Sequence, residues 1–135
     1  MNTSQRDIEE LLLRLAEFGQ FISSALSEAT GDAELIDNVS IMVLATLDLE
    51  GPQRPNDLKD RTGLSSGGVT KVVDRLAERG LVARAYGVIP EDHRGVLVSL
   101  TEEGRRFVGT VTEALAEHLP HSRALVEELD RLLPG

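Results

Sequence analysis

The sequence predicts a mainly α-helical fold with one small β-hairpin, in a single domain spanning residues 1–135. Two observations predict it. Apolar residues recur at helical spacing over most of the chain, and two short Val- and Leu-rich runs lie at 81–86 and 95–100. Hydrophobic residues make up 41% and charged residues 27% of the sequence, a composition typical of a globular domain that buries a core.

The N-terminal part of the chain predicts two helices. The first covers residues 4–29, where Ser4 can act as the N-cap and Asp7 lies in the first turn. Gly31 and Asp32 interrupt the pattern, and a second helix is expected from about Leu35 to Leu49. Because this second helix has few polar positions, we expect it to be buried centrally.

Two shorter helices follow in close succession. Pro55 suits the first position of the third helix, and Gly63 suits the left-handed position just beyond its end. Ser65 and Ser66 then provide a start signal for a fourth helix, which continues to about Arg79. Two short helices joined by a tight turn that contains glycine form a helix-turn-helix.

The C-terminal part begins with the two strand-like runs, 81–86 and 95–100, which predict a hairpin packed beside the helices. Thr101 can cap a fifth helix, whose acidic first turn matches the positive end of the helix dipole. Pro120 interrupts the leucine stripe, which a sixth helix then continues to Leu133.

The fourth helix separates into two faces. An apolar stripe must pack inward, and its members are Val69, Val72, Val73 and Leu76. The outward positions carry small donors near the N-terminus and cations further along: Ser66, Gly67, Thr70, Lys71, Asp74 and Arg75. A helix with a slim leading end can enter a DNA major groove about 12 Å wide, where hydroxyls and cations reach bases and phosphates.

Gly67 and Gly68 lie in the first turn of this helix, where each costs roughly 1 kcal/mol relative to alanine. A close approach of the backbone to DNA would account for that cost. The alternative is a partly frayed helix start with no functional role.

Residues 58–101 resemble the winged-helix core of the MarR family (multiple antibiotic resistance regulators). The resemblance rests on residues 64–76 of the fourth helix, on Gly80-Leu81-Val82, and on residues 92–104. In the last segment the wing signature, Asp-x-Arg followed by a strand that ends in Leu-Thr, is matched in order and spacing. The implied fold is a winged helix-turn-helix core at about 35–103, flanked by dimerisation helices at about 1–33 and 104–135.

The resemblance implies a role for individual residues. Arg94 would enter the minor groove from the wing, with Asp92 orienting it. The remaining DNA contacts would come from the recognition helix: Ser65, Ser66, Gly67, Gly68, Thr70, Lys71 and Arg75. For Asp92 and Arg94, the alternative is a solvated ion pair in a turn. The connection from Arg84 to Pro90 is longer and less charged than is usual for the family, which predicts an apolar wing tip with weakened phosphate contacts.

The flanking helices predict a homodimer, because their leucine stripes exceed what a compact winged helix could cover. The alternative is that they close a monomeric helical core. A two-fold dimer would place two recognition helices in major grooves roughly 34 Å apart, on a pseudo-palindromic site. The resemblance also implies a small apolar or phenolic effector, bound in a cleft between the dimer helices and the winged core.

Charge and residue usage limit the other functions. The net charge is −9, yet residues 54–106 hold ten of the fourteen Lys and Arg residues against eight Asp and Glu, so the middle of the chain is the part least repelled by phosphate. The alternative reading is a mixed-charge surface that only solubilises the protein. The absence of cysteine excludes disulfides, thiolate metal sites and a cysteine redox switch.

No cofactor or metal is expected. His118 and His121 lie three residues apart, but Pro120 lies between them and no third ligand is evident, so we expect helix-end histidines. Because no nucleophile–base pair or phosphate-binding glycine loop is visible, we expect no enzyme. The first six residues lack the apolar stretch of a secretory signal and no membrane span is evident, so we expect a cytoplasmic protein.

We therefore expect a sequence-specific regulator of transcription that binds duplex DNA, with a repressor favoured over an activator. The alternative is a winged helix that binds another protein and no DNA. The cations at Lys71, Arg75 and Arg94 favour the first reading, because a protein-binding module does not need three cations on one face.

Overall fold

The computed structural model describes residues 3–35 and 37–134. The elements, in chain order, are α1 (Gln5–Thr30), a 3-10 turn (Ala33–Leu35), α2 (Asn38–Glu50), α3 (Pro55–Thr62), α4 (Ser66–Glu78), β1 (Val82–Tyr86), β2 (Val96–Leu100), α5 (Glu102–His118), a second 3-10 turn (Leu119–Ser122) and α6 (Arg123–Leu132). The mainly helical fold with one hairpin is thereby confirmed. The predicted segments also include Met1, Asn2, Ile36 and Gly135, which lie outside the described residues.

The helix starts follow the local signals in the sequence. Ser4 caps α1 by accepting a hydrogen bond from the Asp7 N–H, and the Asp7 carboxylate accepts one from the Ser4 N–H in return. Pro55 is the first residue of α3, and Gly63 follows its end with a left-handed φ of 73°. Four of the helix starts that the sequence predicts, those of α1, α3, α4 and α5, are confirmed to within one residue.

The second helix begins later than expected. It starts at Asn38 rather than at about Leu35, because Asp37 is its N-cap and accepts a hydrogen bond of 2.8 Å from the Ser40 N–H. Leu35 instead ends a 3-10 turn, where its side chain is fully buried. The predicted helix extended across Asp37, because the apolar periodicity on both sides outweighed the cap signal.

Residues Glu34–Thr110 form one compact unit, here called the winged unit. Its core is built from α2, α3, α4 and the hairpin, and consists of Leu35, Val43, Leu44, Leu47, Leu58, Val69, Val72, Val73, Leu76, Leu81, Val82, Val98 and Leu100. Phe107 and Val108, which the sequence analysis grouped with the flanking helices, also pack against this core. Burial of this apolar surface is the main source of the stability of the unit.

The hairpin is antiparallel, and its register pairs Val82 with Leu100 and Tyr86 with Val96. The connection between α2 and α3 forms an isolated antiparallel β-bridge to β2. The Gln53 N–H donates to the Val98 carbonyl, and the Val98 N–H donates to the Gln53 carbonyl. Since this pair of hydrogen bonds ties β2 to the residues just before α3, the wing is anchored on the helix-turn-helix.

Residues Met1–Ala33 and Val111–Gly135 form the second compact unit, here called the helical unit. Helix α1 packs against α6, and the Arg131 guanidinium at the end of α6 pairs with Asp7 at the start of α1, with a nitrogen–oxygen distance of 3.1 Å. Large apolar side chains of this unit nevertheless remain exposed: Ile8, Leu12, Leu13, Leu15, Phe21, Leu115, Leu119, Val126 and Leu133. Among the described residues, no helix has the length and apolar character needed to cross a membrane.

Candidate nucleic-acid interface

Helix α4 has the two faces that its sequence predicts. Val69, Val72, Val73 and Leu76 are buried, with at most 9% of any of these residues exposed. The opposite face is open to solvent and begins with a slim surface made of Ser66 and Gly67, followed by Thr70 and Lys71. The valine stripe therefore fixes the orientation of the helix, so that its N-terminal half is presented outward.

Ser65 has a structural task at the start of α4. Its hydroxyl accepts a hydrogen bond of 3.1 Å from the Gly68 N–H, which is the usual N-cap geometry. One backbone N–H of the first turn is thereby satisfied internally. Gly67 and Ser66 are exposed at the same turn, where the positive end of the helix dipole favours a phosphate.

The two glycines of the first turn differ in their surroundings. A Cβ at Gly67 would meet nothing within 4 Å, so the backbone is bare and accessible there. A Cβ at Gly68 would lie 3.3 Å from both the Leu64 Cβ and the Ser65 Oγ. Gly68 is thus favoured by close packing within the protein, whereas only Gly67 remains to be explained by the approach of a ligand.

Thr70 and Lys71 are both exposed on α4. The Thr70 hydroxyl donates to the Ser66 carbonyl at 3.0 Å, so its oxygen can still accept a hydrogen bond. Lys71 forms no ion pair with any residue in the described part of the chain. Its ammonium is therefore available to a phosphate or a base edge without breaking an internal contact.

Arg75 lies elsewhere than the sequence analysis expected. Its Nη2 donates to the Asp37 carboxylate at 2.9 Å and to the Ser40 hydroxyl at 2.6 Å, at the start of α2. Its Nε is buried without a partner among the described residues, and 38% of the side chain is exposed. The expected outward projection of Thr70, Lys71 and Arg75 together thus holds for the first two only, and a DNA contact by Arg75 stays a prediction.

Asp92 and Arg94 meet through the backbone of the wing. The Asp92 carboxylate accepts a hydrogen bond of 3.0 Å from the Arg94 N–H, rather than one from the guanidinium. Asp92 therefore shapes the turn that carries Arg94 instead of pairing with its charge. The Arg94 side chain is exposed and has no ion-pair partner within the described ranges, so its guanidinium is available at the wing tip.

The wing tip is less apolar at its surface than its sequence suggests. Ile89 is buried at 5% exposure, and Gly95 makes room for it, since a Cβ there would lie 2.6 Å from the Ile89 Cδ1. Tyr86 and Val88 remain exposed at 68% and 54%. The expectation of an apolar tip is therefore correct for Tyr86 and Val88 but wrong for Ile89, which closes the turn from within.

Most cations of the winged unit are paired with carboxylates of the same unit. The pairs are Arg54–Glu91, Arg61–Glu50, Arg75–Asp37, Arg79–Glu34, Arg84–Asp74 and Arg106 with Glu102 and Glu103. A hydrogen bond from its own backbone, followed by the Arg54 guanidinium, holds the pKa of Glu91 below its usual range. The charge balance of residues 54–106 did not indicate these pairings, which leave fewer cations available to a phosphate than their number suggests.

No cluster of three metal-ligating side chains occurs in the part of the chain that the structure describes. The His118 Nδ1 lies 2.7 Å from the Ala114 carbonyl within its own helix. The His121 ring stacks on Phe21, with the ring centres 4.3 Å apart. Both histidines thus have partners within the helical unit.

Known proteins with similar sequences agree with the helix-turn-helix and wing described above. Residues 36–95 match the sequence model of the MarR family. The HTH-type transcriptional repressor MdtR of Bacillus subtilis is 26% identical over 104 residues, which are 77% of this chain and 65% of MdtR.

Two solved structures are similar in fold. One is the structure of Bordetella bronchiseptica BpsR, reported for the regulation of its DNA binding by 6-hydroxynicotinic acid. Its TM-score is 0.56 and its sequence identity 28%, and the match covers 91% of this chain and 79% of BpsR. The other is a mutant MarR from E. coli in complex with operator DNA, with a TM-score of 0.63, 24% identity and coverage of 98% and 100%.

Proposed function

The chain carries the winged helix-turn-helix of the MarR family of DNA-binding transcription regulators, and from that premise we propose that it is a repressor that binds duplex DNA sequence-specifically as a homodimer. The observation that supports this most directly is the build of α4. A buried valine stripe fixes the helix, and the opposite face presents a bare glycine, two hydroxyl side chains and a lysine that forms no ion pair with any described residue. We place the protein in the cytoplasm, where chromosomal DNA is found.

The docking on DNA that we propose follows from the positions of Lys71 and Arg94, which form no ion pair with any described residue. The N-terminal half of α4 enters a major groove, where Ser66 and Thr70 reach base edges and Lys71 reaches a phosphate or a guanine. The wing carries Arg94 to the adjacent minor groove, whose negative potential attracts a guanidinium. Asp92 acts indirectly, because it fixes the backbone of the turn that presents Arg94.

The exposed apolar side chains of the helical unit support a homodimer. Leu12, Leu13 and Leu15 on α1 are 64%, 56% and 47% exposed, and Val126 on α6 is 51% exposed. So many large apolar residues on one small helical unit favour a protein partner. A second copy of this chain is the simplest such partner, and two-fold symmetry would give two recognition helices and a pseudo-palindromic operator.

We further propose that a small aromatic acid or phenol releases the repressor. The support comes from BpsR, whose DNA binding is regulated by 6-hydroxynicotinic acid. An effector can act in this way only if it binds the DNA-free arrangement more tightly than the DNA-bound one.

Fluorescence anisotropy with the DNA upstream of the protein's own coding region tests the proposal, with a scrambled duplex of equal length as the competitor. We expect tighter binding to the upstream duplex, an affinity that falls as salt rises, and a dimer by light scattering. Equal affinity for both duplexes would contradict sequence-specific binding. Absence of binding to any duplex would favour the alternative, a winged helix that binds another protein.

A further inference from the structure

Asp74 is a carboxylate on the outward face of α4, and it is paired with an arginine of the hairpin. It follows Thr70 by one helical turn, and 53% of its side chain is exposed. Its Oδ1 accepts a hydrogen bond from the Nη2 of Arg84, which lies on β1 with 25% of its side chain exposed. Thr70, Asp74, Arg84 and Tyr86 all line one cavity between α4 and the hairpin.

This pair places a negative charge on the surface that a polyanion would approach. The Asp74 carboxylate can only accept hydrogen bonds, and Arg84 pairs with this carboxylate instead of with a phosphate. For Arg84 to contact a phosphate, it must leave Asp74, and that carboxylate would then remain unpaired close to the DNA backbone. An exposed ion pair contributes little to folding stability, so stability alone does not explain why a carboxylate occupies this position.

We propose that Asp74 is a specificity-determining residue that acts chiefly by weakening sequence-independent binding. The inference rests on the proposed function. In a non-specific complex, contacts to phosphates supply all of the affinity. The affinity is therefore lowered both by the neutralised cation and by the repulsion between the carboxylate and the phosphates, and no other contact offsets this loss. At the operator, the carboxylate accepts a hydrogen bond from a base amino group, as carboxylates do from the N4 amino group of cytosine, and this contact offsets the repulsion.

The Asp74→Asn variant tests the inference, because it removes the charge and keeps the size of the side chain. One added phosphate contact per protomer is two per dimer, which is worth about 60-fold in affinity at about 0.1 M salt, since the logarithmic slope changes by about 0.9 per phosphate. We therefore expect the Asp74→Asn dimer to bind a scrambled duplex about 60-fold more tightly, with a steeper salt dependence. Its affinity for the upstream duplex should change less than about threefold, so the preference for that duplex should fall.

Glu78→Gln is the matched control. Glu78 lies on the same helix, is exposed, and forms no ion pair with the residues that the structure describes. It lies at the C-terminal end of α4, about 18 Å from Ser66 at 1.5 Å per residue, away from the end that enters the groove. We expect Glu78→Gln to leave the preference between the two duplexes unchanged, although it alters the net charge as much as Asp74→Asn does.

The same substitution made in an Arg84→Gln variant tests whether Arg84 is the cation that contacts the added phosphate. In Arg84→Gln, the gain from Asp74→Asn on the scrambled duplex should shrink to less than about twofold, because no released guanidinium remains to take a phosphate.

The outcomes separate the two proposals. If the wild-type protein fails to prefer its upstream duplex, the proposed function itself is wrong. If wild type does prefer it, three results would overturn the role of Asp74: unchanged or weaker binding of Asp74→Asn to the scrambled duplex, equal gains on both duplexes, or the same effect from Glu78→Gln.

Discussion

The placement of Arg75 at the start of α2 predicts that it and Lys71 respond differently to the same substitution. Replacement by methionine removes the charge in both cases and keeps a long apolar stem. Lys71 has no ion-pair partner in the described part of the chain, whereas Arg75 donates to Asp37 and Ser40. We therefore expect Lys71→Met to affect DNA binding and Arg75→Met to affect mainly folding stability.

The magnitudes follow from the contacts. Lys71→Met should lose one phosphate contact per protomer and so two per dimer, which lowers affinity about 60-fold at about 0.1 M salt and reduces the salt slope by about 1.8. Arg75→Met loses an ion pair whose partners are 38% and 42% exposed and therefore well screened. It also loses the hydrogen bond to Ser40, while removal of the buried, unpartnered Nε offsets part of the cost. We expect a net loss of about 1 kcal/mol in the free energy of unfolding, with DNA affinity unchanged within about twofold.

Two assays decide the matter: anisotropy over a salt series for binding, and urea denaturation for stability. Asp37→Asn serves as a control, because asparagine still caps α2 but no longer pairs with a charge. It should cost about as much stability as Arg75→Met, and the double variant should cost less than the two added together. A fall in the salt slope for Arg75→Met as large as that for Lys71→Met would show that the guanidinium leaves α2 to bind phosphate.

Three further predictions concern other parts of the chain. Gly104→Ala should destabilise the protein by about 2–4 kcal/mol in urea denaturation, because its Cβ would lie 2.1 Å from the Leu81 carbonyl oxygen; an unchanged midpoint would contradict the close packing of α5 there. Arg94→Ala should weaken binding to the upstream duplex by about 1–3 kcal/mol without moving the thermal midpoint, and unaltered binding would remove the wing from the interface. Hydrogen bonds from Ser4, then the one from Arg131, hold the pKa of Asp7 below its usual value, so its stabilising effect is present above that value and is lost as the pH falls through the lowered pKa. Asp7→Asn should therefore make the acid-induced loss of stability shallower below about pH 4, and an unchanged acid limb would show that Asp7 does not contribute.

Local signals predicted the elements, because the residues that form one helix cap lie within about four positions of each other. Ser4 with Asp7, Pro55 and Gly63 all act as the sequence indicates. The valine stripe of α4 was predictable for the same reason, since a period of 3.6 residues fixes which positions share a face. Asp37 shows the limit of the approach, because a long apolar pattern on both sides of it hid the cap.

The partners of charged side chains could not be predicted in this way, because they are distant in sequence. Arg75 contacts residues 35 and 38 positions away. A partial signal did exist: at about 100° per residue, Arg75 lies about 110° from the centre of the buried stripe, whereas Lys71 lies about 150° away. The same projection puts Gly68 beside the stripe and Gly67 opposite it, which agrees with the crowding found at Gly68 alone.

The pairing of cations also bears on how a chain with a net charge of −9 could bind DNA. Counterion release depends on the cations that reach phosphates, not on net charge. If only Lys71 and Arg94 did so, a dimer would make four phosphate contacts, and the logarithmic salt slope would be about −3.6. If Arg54, Arg75 and Arg84 exchanged their carboxylates for phosphates as well, the slope would approach about −9. The measured slope therefore reports how many internal ion pairs break when the protein binds DNA. A shallow slope would mean that the carboxylates keep their arginine partners and limit binding to DNA sites that the exposed face of α4 recognises.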